Sequence, residues 1–264
     1  MRYFQVNAFA NRPGGGNPAG VCPLERWPAD AVMQRVAAAV TISEVAFLVP
    51  QGHGHGLRWF TPATEVELCG HATLAAAHVL FTHLGLGAPV AVFHTRSGEL
   101  CVAREGSRLR MDFPAWPVRP CPEPTGLAQA LGARPRETHA GRNLLCLYDD
   151  AGQVRALRPD FAALARLEFT GVIVTAPGAD CDFVSHYFAP AKGVGEDPVT
   201  GSAHCSLAPF WAPRLGRSEL AARQLSARGG ELACIHKEER VELIGQAVTV
   251  LEGRIDSAVA AESA

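Results

Sequence analysis

The 264 residues are 48% hydrophobic and 19% charged, with 24 Lys and Arg against 26 Asp and Glu for a formal net charge of -2. A charged fraction below the roughly 25% of an average domain, beside ample apolar content, excludes a disordered chain, and the lack of a basic excess or a run of like charges excludes nucleic-acid and anionic-membrane binding. The opening run MRYFQVNAF has no basic segment leading an apolar one, and apolar stretches such as Thr73 to Phe81 fall far short of the about 20 residues that span a bilayer, so a cytoplasmic protein is expected. Eight cysteines without a CxxC pair read as free thiols in a reducing compartment. At about 150 residues per domain the length fits two domains.

In chain order, Arg12-Pro13-Gly14-Gly15-Gly16-Asn17-Pro18 lacks both the GK[ST] of a phosphate loop and a GxGxxG fingerprint. It reads as a turn with Asn17 as a candidate ligand contact, not as a nucleotide site. Asp30 to Val40 has helical character, and Thr41-Ile42-Ser43-Glu44 opens the β-branched strand Val45 to Val49, ended by Pro50. His53-Gly54-His55 lies in a glycine-rich surface turn. Gly70-His71-Ala72 then leads an alanine-rich helix over His71 to His83, and Val90 to Phe93 is a further strand. His71 and His78 stand seven apart with no acidic ligand alongside, and no HExxH or Cys/His spacing occurs, so no catalytic metal and no cofactor are expected.

Residues 112 to 124 hold five prolines in thirteen positions, which neither a helix nor a central strand tolerates. They form the expected linker between halves 1–115 and 125–264. The second half repeats the first faintly. Phe60-Thr61-Pro62-Ala63 returns as Phe188-Ala189-Pro190-Ala191, Gly70-His71-Ala72 as Gly201-Ser202-Ala203, and Gly98-Glu99-Leu100 as Gly230-Glu231-Leu232, at offsets of 128, 131 and 132 residues. One slowly drifting offset indicates two copies of one mixed α and β half. Strands are expected at Val172 to Thr175 and Val248 to Leu251.

The glycine-led helix starts at Gly70 and Gly201 leave first-turn amides without helical partners, and these amides with the positive dipole end attract an anion such as a substrate carboxylate. Ordinary capping by Gly and Ser is the competing reading. Counting back six residues from Pro50 and from Pro177 aligns Glu44 with Gly171, so only the first half carries a carboxylate there. Beside an apolar strand its pKa is expected to rise towards the range useful for proton transfer, unless it is simply a surface residue at a strand edge. Asp197, four residues before Gly201, could hold a histidine such as His71 in one tautomer or bond within its own loop before Pro198.

Several runs resemble the PhzF-like proteins of phenazine biosynthesis and their relatives: Gly16-Asn17-Pro18-Ala19-Gly20-Val21, Ser43-Glu44, Phe60-Thr61-Pro62, Cys69-Gly70-His71-Ala72-Thr73-Leu74, and Glu196-Asp197-Pro198-Val199-Thr200-Gly201-Ser202-Ala203-His204. The resemblance implies an α+β protein of two similar halves with the diaminopimelate-epimerase-like fold, each a sheet wrapped around a central helix, with the active site in the cleft between them. It also implies a homodimeric, cofactor-independent isomerase that moves a proton within a small anionic metabolite. By resemblance Glu44 is the acid/base. His71, Asp197 and Ser202 surround the substrate, with Asn17, Gly70, Ala72, Thr200 and Gly201 as binding positions. The chain departs from the family at Ser185-His186-Tyr187-Phe188, where relatives often have Arg before the aromatic pair. The substrate does not carry over, because the EDPVTGSAH version resembles a broader branch than the phenazine enzyme.

Two other functions compete. A cysteine-dependent epimerase, racemase or dehydratase would use Cys69 beside Gly70, but the matching position before Gly201 is Thr200, so the second thiol of a two-base relay is missing. A non-enzymatic binder of an anionic metabolite would have no use for a tunable carboxylate.

Overall fold

The computed structural model describes residues 1–256 and Val259. The first half runs β1 (Arg2–Ala8), β2 (Asn17–Pro23), α1 (Asp30–Ala39), β3 (Glu44–Gln51), β4 (Gly54–Phe60), β5 (Glu65–Val66), α2 (Gly70–Thr82), β6 (Val90–Thr95), β7 (Gly98–Glu105) and β8 (Arg108–Pro114). The second runs β9 (Arg119–Pro120), α3 (Leu127–Leu131), β10 (Glu137–Ala140), β11 (Leu144–Leu147), α4 (Ala151–Ala156), α5 (Phe161–Leu164), β12 (Val172–Pro177), β13 (Phe183–Ala189), β14 (Val194–Glu196), α6 (Gly201–Leu215), β15 (Glu219–Gln224), β16 (Gly230–Lys237) and β17 (Arg240–Gly245), followed by β18 (Ala247–Arg254).

The faint sequence repeat is a repeat of pairing. In the first half β1–β2 is antiparallel, β2–β3 parallel, β3–β4 and β4–β5 antiparallel, β4–β6 parallel and β6–β7 antiparallel. The second repeats this series in β10–β11, β11–β12, β12–β13, β13–β14, β13–β15 and β15–β16. The register agrees too, since Phe60 pairs with Val45 and its counterpart Phe188 with Val172.

Each half centres on its glycine-led helix. In α2 every residue from His71 to Ala77 is buried, which needs small side chains, and the helix packs on β1, β2 and β3. In α6 the run Ala203 to Ala208 is buried likewise. Pro209 inside α6 cannot donate to the Cys205 carbonyl four residues back, and the Trp116 amide supplies that bond at 2.8 Å. A residue of the proline-rich stretch thus repairs the helix.

The domain boundaries differ from the expected halves. The chain divides into a unit of Met1–Asp112 with everything from Ile244 onward, and a unit of Phe113–Leu243. The assignment of 125–264 to one half is corrected at its C-terminal end, because β18 pairs antiparallel with β1. In the second unit β9, from inside the linker 112–124, pairs with β10 in the same manner. Each half therefore has its first strand flanked by a strand that follows the other half in sequence.

Candidate functional site

Within the first unit, Gly16 sits at φ 73°, where an added Cβ would strike the Ala8 carbonyl and the Ala10 side chain, so glycine is required to turn the chain into β2. β2 lies parallel to β3 with Ala19 opposite Glu44, and Asn17, two residues earlier and fully buried, shares that face. Ser43 donates to the Pro18 carbonyl at 3.2 Å, which holds the entry to β3.

Glu44 opens β3 with its side chain 19% exposed, and its Oε2 lies 3.2 Å from Nε2 of His71, the second residue of α2. Neither atom has a well-aligned hydrogen-bond partner among the protein atoms, so the two are paired by charge and proximity. On its other side, His71 Nδ1 is 3.5 Å from the Cys69 thiol. The imidazole stands between a carboxylate and a thiol.

Burial pushes the Glu44 carboxyl up, but the adjacent His71, aided by Ser43, outweighs it and the net direction is down. This corrects the expectation of a raised pKa. The apolar strand has the expected sign, and a partner 27 positions away in sequence overrides it. Burial pulls His71 down, while Cys69 and Glu44 drive it well above its ordinary value. Cys69 is raised by burial and remains a thiol. These directions favour a carboxylate on Glu44 beside a protonated His71 ring. The donor atoms of Glu44, Cys69 and His71 lie within 4.8 Å of one another, a set that could also hold a divalent cation.

The start of α2 has Cys69 at its N-cap without a side-chain bond to the first amides, and α6 has Thr200 in the same situation. Neither helix start is capped by a side chain, so the ordinary-capping reading does not apply to them. Gly70 is half-buried, Ala72 buried, and Ser202 exposed in the first turn of α6.

In the second unit the acidic loop bonds within itself. Asp197 Oδ2 accepts from the Thr200 hydroxyl at 2.5 Å, and His204 Nδ1 donates to the Thr200 carbonyl at 2.8 Å. Burial holds His204 down at about 4, so it is neutral. Gln224, fully buried, accepts from the Thr200 amide at 2.9 Å and donates to the Asp197 carbonyl at 2.6 Å. Of the two sequence readings for Asp197, the bond within its own loop is therefore present. Sequence reasoning missed Gln224, which lies on β15 with no local signal. His186 faces Glu196 at 2.5 Å across β13 and β14, so the position where relatives often carry Arg is committed to a carboxylate of its own unit.

Gly171 has a steric reason. A Cβ there would overlap the Tyr187 hydroxyl and the Asn143 side chain, which are hydrogen-bonded to each other at 3.2 Å. Burial and Asp197 raise Tyr187 to about 12, so its hydroxyl stays protonated. A neutral hydroxyl–amide pair fills the space that the first half gives to Glu44. All eight cysteines are free thiols, and among the described residues no helix is long and apolar enough to cross a membrane.

The architecture matches that of a PhzF family protein of Enterococcus faecalis, with a TM-score of 0.94 at 43% identity over 96% of this chain and 98% of that one. The fold extends to a probable proline racemase of Agrobacterium radiobacter K84, with a TM-score of 0.65 at 12% identity over 97% and 93% of the two chains. These define an α+β protein of two similar halves with the diaminopimelate-epimerase-like fold. The sequence matches the PhzC-PhzF family of phenazine biosynthesis-like proteins over residues 6–253, and the chain belongs to that family. An uncharacterized isomerase of Pseudomonas aeruginosa is 53% identical over 97% of this chain and 98% of its own length. The protein is an isomerase of this family.

Proposed function

We propose that the protein isomerises a small carboxylate-bearing metabolite by moving one proton, with Glu44 as the single acid/base and no cofactor. The observation that carries this reading is the asymmetry of the two halves. A carboxylate 3.2 Å from an imidazolium occupies one, and Gly171 under a neutral Tyr187–Asn143 pair occupies the other. Glu44 removes a proton from a carbon next to an electron-withdrawing group, the electron pair moves through the conjugated system, and the resulting carboxylic acid, which exchanges with solvent, returns a proton to another carbon on the same face. Atoms and charge balance without a second reactant.

A carboxylate held below its usual range is a weak base, so the reaction depends on stabilising the charge that develops on the substrate. The uncapped first turn of α2, with the amides of Gly70, His71 and Ala72, supports that role. The imidazolium of His71 holds Glu44 ionised and orients it. In the second unit, Gly201 and Ser202 open α6 without a side-chain cap, and the Asp197–Thr200 bond shapes the loop before them. Asn17 is a substrate contact on the Glu44 face.

The thiol reading has one observation in its favour, the 3.5 Å contact of Cys69 with His71. Against it, Cys69 is raised by burial, and the matching Thr200 hydroxyl is engaged by Asp197.

The test is incubation in deuterated water with a panel of cyclic and amino-acid carboxylates, followed by magnetic resonance for label at carbon. On a substrate so identified, Glu44→Gln should lower turnover by at least about a hundredfold with KM little changed, since the amide keeps size and polarity but shuttles no proton. Near-normal turnover in Glu44→Gln would sink the mechanism.

A further inference from the structure

We propose a second, surface site in the first unit that takes a zinc ion, formed by His53, His94 and Glu99 and separate from the Glu44 cluster. His53 occupies the turn between β3 and β4. His94 on β6 pairs directly with Glu99 on β7, which fixes both on one face of the hairpin. Glu99 Oε2 lies 3.7 Å from His53 Nε2 and 3.7 Å from His94 Nδ1, and the three donor atoms lie within 4.8 Å of one another. The two rings meet edge to face with centroids 5.0 Å apart.

Those distances are too long for hydrogen bonds, so the three polar groups converge without satisfying one another. Two ligands on a tetrahedral zinc with bonds of about 2.0 to 2.1 Å are separated by about 3.3 to 3.5 Å, so small side-chain movements would place all three on one ion. No Lys or Arg forms an ion pair with Glu99 among the described residues; Arg96, the nearest cation in sequence, is paired with Glu65 at 2.7 Å. Two imidazoles and one carboxylate are a borderline donor set that suits zinc over magnesium or calcium. Two of the donors sit on paired strands and are preorganised. The third is on an exposed turn, so the ion would pin the β3–β4 turn to the β6–β7 hairpin. The exposed Cys101 lies two residues along β7, with its sulfur 3.9 Å from Glu99 Oε1.

The experiment uses untagged full-length chain with Cys101→Ser, which removes a competing exposed thiol. Zinc is titrated calorimetrically, and thermal melting is followed with and without zinc. One zinc per chain is expected, with a melting temperature raised by zinc. His53→Ala, His94→Ala and Glu99→Gln should each weaken binding by at least about tenfold and abolish the shift, while His71→Asn leaves both unchanged. His53 and Glu99 are exposed and His94 is half-buried, so matching circular dichroism is expected for the variants at these three positions. Zinc affinity unchanged from the parent chain in His94→Ala and Glu99→Gln would overturn the proposal, as would loss of binding only in His71→Asn, which would move the ion to the Glu44 cluster. The absence of zinc binding in the Cys101→Ser chain would overturn it as well.

Discussion

Replacing Glu44 by Gln should change the protonation of His71 before it changes anything else. At 3.2 Å and an effective dielectric of about 20, the attraction between the carboxylate and the imidazolium is about 5 kcal/mol before burial is counted. Burial of the imidazolium opposes it, and the ring in the variant can relax by releasing its proton. The expected net cost is therefore smaller, about 1 to 3 kcal/mol at pH 5 to 6.5.

The pH dependence follows from the two directions. His71 is raised above 6.5 in the folded chain, so its contribution is complete below pH 6.5 and is lost as pH rises through the folded value. Glu44 is lowered below 4.5, so its contribution is present above pH 4.5 and is lost as pH falls through the folded value. The difference in unfolding free energy between wild type and Glu44→Gln should be largest between pH 4.5 and 6.5 and should shrink on both sides. Urea unfolding at a series of pH values measures that difference, and imidazole proton resonances report His71 directly. In the variant the Glu44 contribution is gone, and His71 should titrate at a lower pH than in the wild type. A stability difference that is flat with pH, or a His71 midpoint that is the same in both proteins, would refute the ion-pair argument.

Gly171→Ala should destabilise the chain by about 1 to 3 kcal/mol by forcing apart the Tyr187–Asn143 pair, and part of that cost should vanish in a Tyr187→Phe background, the Asn143 overlap remaining; equal costs in both backgrounds would show that the hydroxyl is not an obstacle. Cys69→Ser should keep turnover within a few-fold on a substrate found by deuterium labelling. Its inactivation beside an active Glu44→Gln would transfer the chemistry to the thiol. Thr200→Val should cost about 1 to 3 kcal/mol in chemical unfolding, because it strips Asp197 of a hydroxyl donor in a half-buried loop, and an unchanged midpoint would mean that the hydroxyl is not needed to hold the loop.

Much of the fold was legible because the repeat is carried by local signals. The helix read at Asp30 to Val40 is α1, and the one read at His71 to His83 is α2 shifted by one residue, since apolar patterning and a leading glycine are properties of a short stretch of chain. The Phe-Thr-Pro-Ala and Phe-Ala-Pro-Ala runs showed the repeat because they close β4 and β13, equivalent strands that were not themselves expected, at the same register. The return of β18 to β1, and of β9 to β10, could not be read. Strand partners are chosen by three-dimensional packing, and nothing local in Ala247–Arg254 names β1.

The candidate site divides along the same line. Glu44, Cys69, His71 and Asp197 stood out as residue types beside strand and helix starts, and the Asp197 to Thr200 bond spans only three positions, within reach of a loop reading. The direction of the Glu44 pKa was misread because the sequence supplies the desolvation but not the counter-charge. An apolar strand is local, whereas the imidazolium that outweighs it arrives only when α2 packs against β3. Gly171 showed as a missing carboxylate, yet its cause, a hydroxyl and an amide from β13 and the start of β11, exists only after three separate segments meet. Local propensity is written residue by residue, while electrostatic balance and excluded volume are sums over neighbours that tertiary packing selects.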